Sequence, residues 1–150
     1  MKFYFVDTSA LAKRYFPEIG SSWVLSWILP SAGNTIVVAE LAFIEMASVI
    51  ERRKREGKIL SNQATILHSN LYLHMRQEYL VSPLDSTVVI QARRLVRNYP
   101  LRSLDAIQLA SAKLASVLLV EPVTFVSADR DLLAVATSEG FTTDDPNLYL

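Results

Sequence analysis

The chain has 150 residues, a formal net charge of zero, 51% hydrophobic residues, four glycines and no cysteine. Its length suits one domain with a full core, and the missing cysteines exclude disulfides, thiolate metal sites and cysteine nucleophiles, which fits a reducing cytoplasm. Zero net charge argues against nucleic-acid binding by bulk charge while leaving room for a local basic face, and a mean hydropathy of +0.24 implies apolar surface for a partner to cover.

The first stretch is the most informative. Phe3 to Val6 is a continuous apolar and aromatic run that suits a strand buried on both faces. It stops at Asp7. Thr8 and Ser9 are good helix N-caps, so Ala10 to Phe16 is predicted as helix until Pro17 ends it. With two hydroxyls available for capping, Asp7 is left for another task, at the carboxyl edge of a strand where open parallel sheets bind ligands. The run before Asp7 is too short for a signal peptide.

Ser22 to Leu29 is predicted as a short helix, apolar nearly all round, with Trp23 and Trp27 one turn apart. Such a helix is deep core or an interface, and its excess of apolar residues points to an interface. Ile19 to Ala39 carries no charge, but Pro30, Gly33, Asn34 and several serines divide it into helix, turn and strand, so no membrane span is expected. Thr35 to Ala39 is the second strand. A long helix follows from Glu40 to Glu56, with Leu41, Ile44 and Ala47 in its apolar stripe and a charge run, Glu51 to Lys58, at its end.

Ser61 is positioned to cap a helix to Glu78, on which His68 and His74 are six residues apart and read as surface. Tyr79 to Ser82 is the third strand, and Asp85 or Ser86 caps a helix ended by Asn98 and Pro100. Ser103 is expected to cap a helix from Leu104 to Leu114 with Asp105 in its first turn. Val123 to Ser127 is the fourth strand, Asp129 precedes a helix closing at Gly140, and Phe141 to Thr143 is a last short strand. Strands alternating with helices predict an α/β fold: a three-layer α/β/α sandwich around a mainly parallel sheet of four to five strands, as one domain over residues 1–150.

Acids share one address in this plan. Asp7 and Asp129 each follow a strand and precede a helix, Asp105 lies in a first helical turn, and Glu45 sits mid-helix among apolar neighbours. Carboxylates crowded together repel unless a cation or protons intervene. An all-oxygen set, without cysteines or histidines at metal spacing, selects a hard ion such as Mg²⁺ or Mn²⁺. Two such ions about 3.5–4 Å apart are a common device for phosphodiester hydrolysis.

Four stretches carry a family likeness: Phe5-Val6-Asp7-Thr8-Ser9-Ala10-Leu11, Phe43-Ile44-Glu45-Met46-Ala47-Ser48, Leu101-Arg102-Ser103-Leu104-Asp105-Ala106-Ile107 and Phe125-Val126-Ser127-Ala128-Asp129-Arg130-Asp131. In this order they resemble the PIN domain across essentially the whole chain, and within it the VapC toxins of bacterial and archaeal toxin–antitoxin pairs. The resemblance implies a Mg²⁺- or Mn²⁺-dependent ribonuclease with catalytic and metal-binding acids at Asp7, Glu45, Asp105 and Asp129. Ser9 and Ser127 match supporting hydroxyl positions and Asp131 an accessory acid. It also implies an RNA substrate, a cognate antitoxin and a homodimer. Glu40 departs from the family pattern, and a shifted helix register would make it compete with Glu45.

Asp7 and Asp105 are then expected to hold one ion, with Glu45 completing its shell or orienting the attacking water and Asp129 serving a second ion or water. Arg102 is the best candidate for a phosphate contact. Arg52 and Arg53, with Lys54, Arg55, Arg93, Arg94 and Arg97, are candidates for a basic rim. A haloacid dehalogenase phosphatase needs a second acid where Ser9 stands, and a receiver domain wants a lysine where Ala128 and Asp129 stand. The alternative left open is a PIN-like module that binds RNA or protein without cutting.

Overall fold

The computed structural model describes residues 1–150 and contains five strands and seven helices. The strands are β1 (Phe3–Val6), β2 (Thr35–Ala39), β3 (Tyr79–Ser82), β4 (Val123–Val126) and β5 (Thr142–Asp144). The helices are α1 (Thr8–Tyr15), α2 (Ser21–Ile28), α3 (Leu41–Arg55), α4 (Ser61–Gln77), α5 (Ser86–Asn98), α6 (Ser103–Leu119) and α7 (Arg130–Ser138). All four strand pairings are parallel and the sheet order is β3-β2-β1-β4-β5.

Alternation along the strands sorts the core into two layers, as period-two side-chain direction requires. Tyr4, Val6, Ile36, Val38 and Val126 face α1 to α4, where they meet Leu11, Trp27, Met46 and Leu71. Phe5, Val37, Val123 and Phe125 face α5 to α7, where they meet Leu95, Leu109 and Leu132. The fold is thus the expected α/β arrangement, with helices on both sides of the sheet. The chain leaves β1 in one direction to build β2 and β3, then returns to place β4 on the other side of β1. That reversal between β1 and β4 opens a crevice at the carboxyl ends of the strands.

Several local expectations are corrected. Asp7, and not Thr8 or Ser9, is the N-cap of α1, because its carboxylate accepts the Ala10 N–H while both hydroxyls turn to other partners. Ser103 is the first helical residue of α6, and Arg102 occupies the cap without a side-chain hydrogen bond. That helix runs on to Leu119, since no breaker stands between Leu114 and Val120; Val117 and Leu118, which blur its apolar period, are exposed. On α3 the buried residues are Leu41, Ala42, Met46 and Ile50, and Ile44 is 66% exposed.

The tryptophan helix packs into the core. Trp27 is 5% exposed and stacks on Tyr4 with ring centroids 4.3 Å apart, while Trp23 stacks on Tyr149 at 4.1 Å. Burial of this size resists truncation by about 3–5 kcal/mol, a large part of a marginal total. Trp27→Glu is therefore expected to unfold the chain, which a circular dichroism melt reads directly. A folded variant with an unchanged melting point would show that the ring packs against little.

His74 is also no surface residue. Its Nδ1 lies 2.8 Å from the Tyr15 hydroxyl, which lies 2.8 Å from that of Tyr79, and Arg14 donates to Tyr79 and Glu78 at 2.7 Å. This network joins α1, α4 and β3 at the edge of the sheet opposite the crevice. Burial and the neighbouring Arg14 charge hold His74 below its ordinary pKa. No helix is long and apolar enough to cross a membrane.

Candidate active site

The crevice at the β1–β4 reversal is floored by Asp7, which is 4% exposed. Its Oδ1 accepts the Ala10 N–H at 3.0 Å and the Ser9 hydroxyl at 2.7 Å, and its Oδ2 accepts the Ser127 hydroxyl at 2.7 Å. The same two hydroxyls accept backbone N–H groups beyond β4, Ser9 from Ala128 at 2.9 Å and Ser127 from Asp129 at 3.0 Å. The orientation of the carboxylate is thereby tied to the position of the neighbouring strand end. Burial pushes the Asp7 carboxyl up to about 6; the hydrogen bonds from Ser9, Ser127 and Ala10 oppose that rise, and the negative charge of Asp105 adds to it.

Glu45 is half-buried on α3 and held by two donors on one oxygen. Thr8 donates to its Oε1 at 2.8 Å and Gln108 Nε2 donates to the same oxygen at 2.7 Å. Gln108 Nε2 also reaches Thr8 Oγ1 at 3.1 Å, closing a ring of three side chains from α1, α3 and α6. Glu40 is exposed and turned elsewhere: its Oε1 accepts the Leu84 N–H at 3.1 Å in the loop after β3. The helix register thus brings Glu45, and not Glu40, to Thr8 and Gln108.

Asp105 and Asp129 lie beneath an exposed cation. Arg102, 85% exposed, donates from Nε to Asp105 Oδ2 at 3.3 Å and places Nη2 3.9 Å from Asp129 Oδ2. Asp129 caps α7, its Oδ1 accepting the N–H groups of Asp131 at 3.0 Å and Leu132 at 3.2 Å. Asp131 is exposed on the first turn of that helix.

The four acids therefore stand in three groups along one edge: Asp7 among hydroxyls, Glu45 with Thr8 and Gln108, and Asp105 with Asp129 under Arg102. No three acidic or histidine side chains converge closely enough to ligate one ion. The donor chemistry nevertheless fits a hard divalent cation, since it is all oxygen and includes a buried carboxylate that ionises reluctantly without a nearby positive charge.

The basic run lies elsewhere. A crossover helix starts at the carboxyl edge and runs away from it, so Arg52 sits about 10 Å beyond Glu45 along α3. Arg53 pairs with Glu18 at 3.1 Å and its guanidinium lies 4.1 Å from the Phe16 ring centroid. Lys54 pairs with Glu51 and Arg94 with Glu139. Gln108 and Thr8 went unnoticed as site residues in the sequence. The available signal was Gln108, a polar residue three positions after Asp105 and hence on the same helix face.

The sequence profile of the PIN domain matches residues 4–138. No curated protein matches the chain. Among solved structures, FitAcB from Neisseria gonorrhoeae is similar at 13% identity with a TM-score of 0.70, over 96% of this chain and 98% of that one. A toxin–antitoxin complex from Klebsiella pneumoniae is similar at 14% identity and a TM-score of 0.63, over 95% of this chain and 97% of that one. PAE2754 from Pyrobaculum aerophilum is similar at 19% identity and 0.60, over 95% and 89%. With its all-parallel sheet and a match over residues 4–138, this chain belongs to the PIN domain family.

Proposed function

We propose that the chain is a Mg²⁺- or Mn²⁺-dependent endoribonuclease and the toxin of a toxin–antitoxin pair, a single domain working in the cytoplasm, with its cognate antitoxin as protein partner and with itself as a homodimer. PIN domains are generally nucleases. The toxin setting draws on the likeness in fold to the Klebsiella toxin–antitoxin complex. The observation that carries the nuclease reading is Asp7, a buried carboxylate raised to about 6 at the strand-order reversal, with Asp105 close enough to add to that rise. Such an acid ionises readily only with a positive charge beside it.

Asp7 and Asp105 would hold the cation, and Asp129, with Asp131 as an accessory acid, would serve a second ion or a water. When bound, a divalent ion supplies charge to the transferring phosphoryl group and acidifies water. Ser9 and Ser127 keep both Asp7 oxygens aimed at the crevice. The Oε2 atom of Glu45, not used by Thr8 or Gln108, takes the proton of the attacking water. Arg102, exposed at the rim, receives a phosphate oxygen. Water attacks phosphorus in line with the 3′ oxygen, the P–O3′ bond breaks, and the leaving oxygen is protonated from solvent. The products are a 5′-phosphate and a 3′-hydroxyl.

The test is end-group analysis of a cleaved RNA oligonucleotide with Mn²⁺, with Mg²⁺ and with chelator. Cleavage to 5′-phosphate ends that chelator abolishes is the expected result. Cyclic 2′,3′-phosphate ends, or cutting that persists in chelator, would sink it, and an RNA bound but never cut would establish the non-catalytic module instead.

A further inference from the structure

Gln108 is the one polar residue of α6 with a buried side-chain atom that finds no partner. It is 3% exposed, in a helix whose other buried residues are Ala106, Leu109, Ala110, Ala112 and Ala115 with Ser111. Its Nε2 makes two hydrogen bonds, to Glu45 Oε1 at 2.7 Å and Thr8 Oγ1 at 3.1 Å, yet its Oε1 is buried with no partner. A carboxylate oxygen can only accept, so the amide assignment follows from Glu45: the N–H end must face it. The orphaned carbonyl is the consequence. A buried acceptor without a donor is costly, and a hydrophobic side chain of the same shape carries no such cost. Packing alone gives no reason for an amide here.

We infer that Gln108 is a positioning residue that, with Thr8, fixes Glu45 by its Oε1 and so leaves Oε2 as the oxygen presented to the crevice. This rests on the proposed reaction and deepens it. Thr8 alone offers one donor on a rotatable hydroxyl, which lets the carboxylate swing. The second donor comes from a planar amide on another helix, and the contact between amide and hydroxyl locks the ring. The arrangement spans α1, α3 and α6, so it also sets the separation of Glu45 from Asp105, which shares α6 with Gln108.

The experiment uses Gln108→Met, which keeps length and apolar volume and removes both N–H groups, in the wild-type and Glu45→Gln backgrounds. Single-turnover cleavage, KM for RNA and melting in chelator are all measured. The expected result is a fall in the cleavage rate of about 10–100-fold, the usual cost of losing a group that orients a functional ligand, with KM little changed. The melting point in chelator should stay level or rise, because the orphaned carbonyl is gone. In the Glu45→Gln background the same change should have little further effect, as expected for residues acting through one another. Wild-type cleavage by Gln108→Met beside a crippled Glu45→Gln would overturn the inference alone. A fall in melting point with rate losses that add in the double variant would overturn it too, assigning Gln108 to the core. Full cleavage by Glu45→Gln would overturn both this inference and the reaction on which it rests.

Discussion

Asp7→Asn is expected to abolish RNA cleavage while making the cation-free protein more stable at neutral pH. The loss in rate should be about 10³-fold, since holding a divalent ion at the reacting phosphate is worth several kcal/mol and each 1.36 kcal/mol is a decade. The gain in stability comes from a carboxyl whose folded pKa, about 6, lies above its ordinary 3.8. A raised folded pKa means that the folded protein holds its proton more tightly than the unfolded chain. The contribution of Asp7 is therefore most favourable below pH 3.8, declines as pH rises toward 6, and is fully unfavourable above that, by up to about 3 kcal/mol. Asparagine does not titrate and still caps a helix. In chelator the variant should melt above the wild type at pH 7.5, and the gap should close by pH 4. Added Mn²⁺ should reverse the order at pH 7.5 by binding only the native wild-type site. A variant less stable than the wild type at every pH would mean that the carboxylate is structural.

The second large effect separates two glutamates five residues apart. Glu45→Gln should lower the cleavage rate by about 10²–10⁴-fold, the usual contribution of a positioned general base, whereas Glu40→Gln should leave it within a factor of two or so, because Glu40 only accepts a loop N–H. Side-by-side rates on one oligonucleotide decide the matter. Equal losses would imply that the Glu40 loop contact is part of the reaction.

The architecture was legible because its signals are local and repeated. Short apolar runs such as Phe3–Val6 and Thr35–Ala39 have one use in a chain of alternating helices, and every strand lies within a residue of its predicted place. The same plan set Asp7, Glu45, Asp105 and Asp129 near one edge of the sheet, but the crowding it led one to expect is looser, since no three of these acids converge closely enough to share an ion. What escaped was tertiary. Capping preference favours the hydroxyls of Thr8 and Ser9, yet both are drawn off by Glu45 and Asp7, leaving the cap to the carboxylate. The apolar excess around Trp23 and Trp27 suggested a partner because periodicity cannot show that Tyr4 and Tyr149 already cover the rings. Likewise, the sequence does not show that Arg53, Lys54 and Arg94 pair with Glu18, Glu51 and Glu139, which leaves Arg52, Arg55, Arg93 and Arg97 as the members of the basic run outside any ion pair.

The hydroxyl clasp on Asp7 also bears on how the protein comes into being. Ser127 meets Asp7 across 120 positions of sequence, and β1 pairs with β4 although β2, β3 and six helices lie between them in the chain. Contacts of such separation form late and slow the overall rate of folding. Until β4 docks, one side of β1 presents free backbone donors and acceptors, which invites misassociation. During synthesis, Ser127 can donate to Asp7 only once β4 has emerged. A nascent chain that has emerged only as far as α6 therefore carries three of the four acids and no finished crevice. A truncated or stalled product that lacks β4 is therefore expected to cleave no RNA.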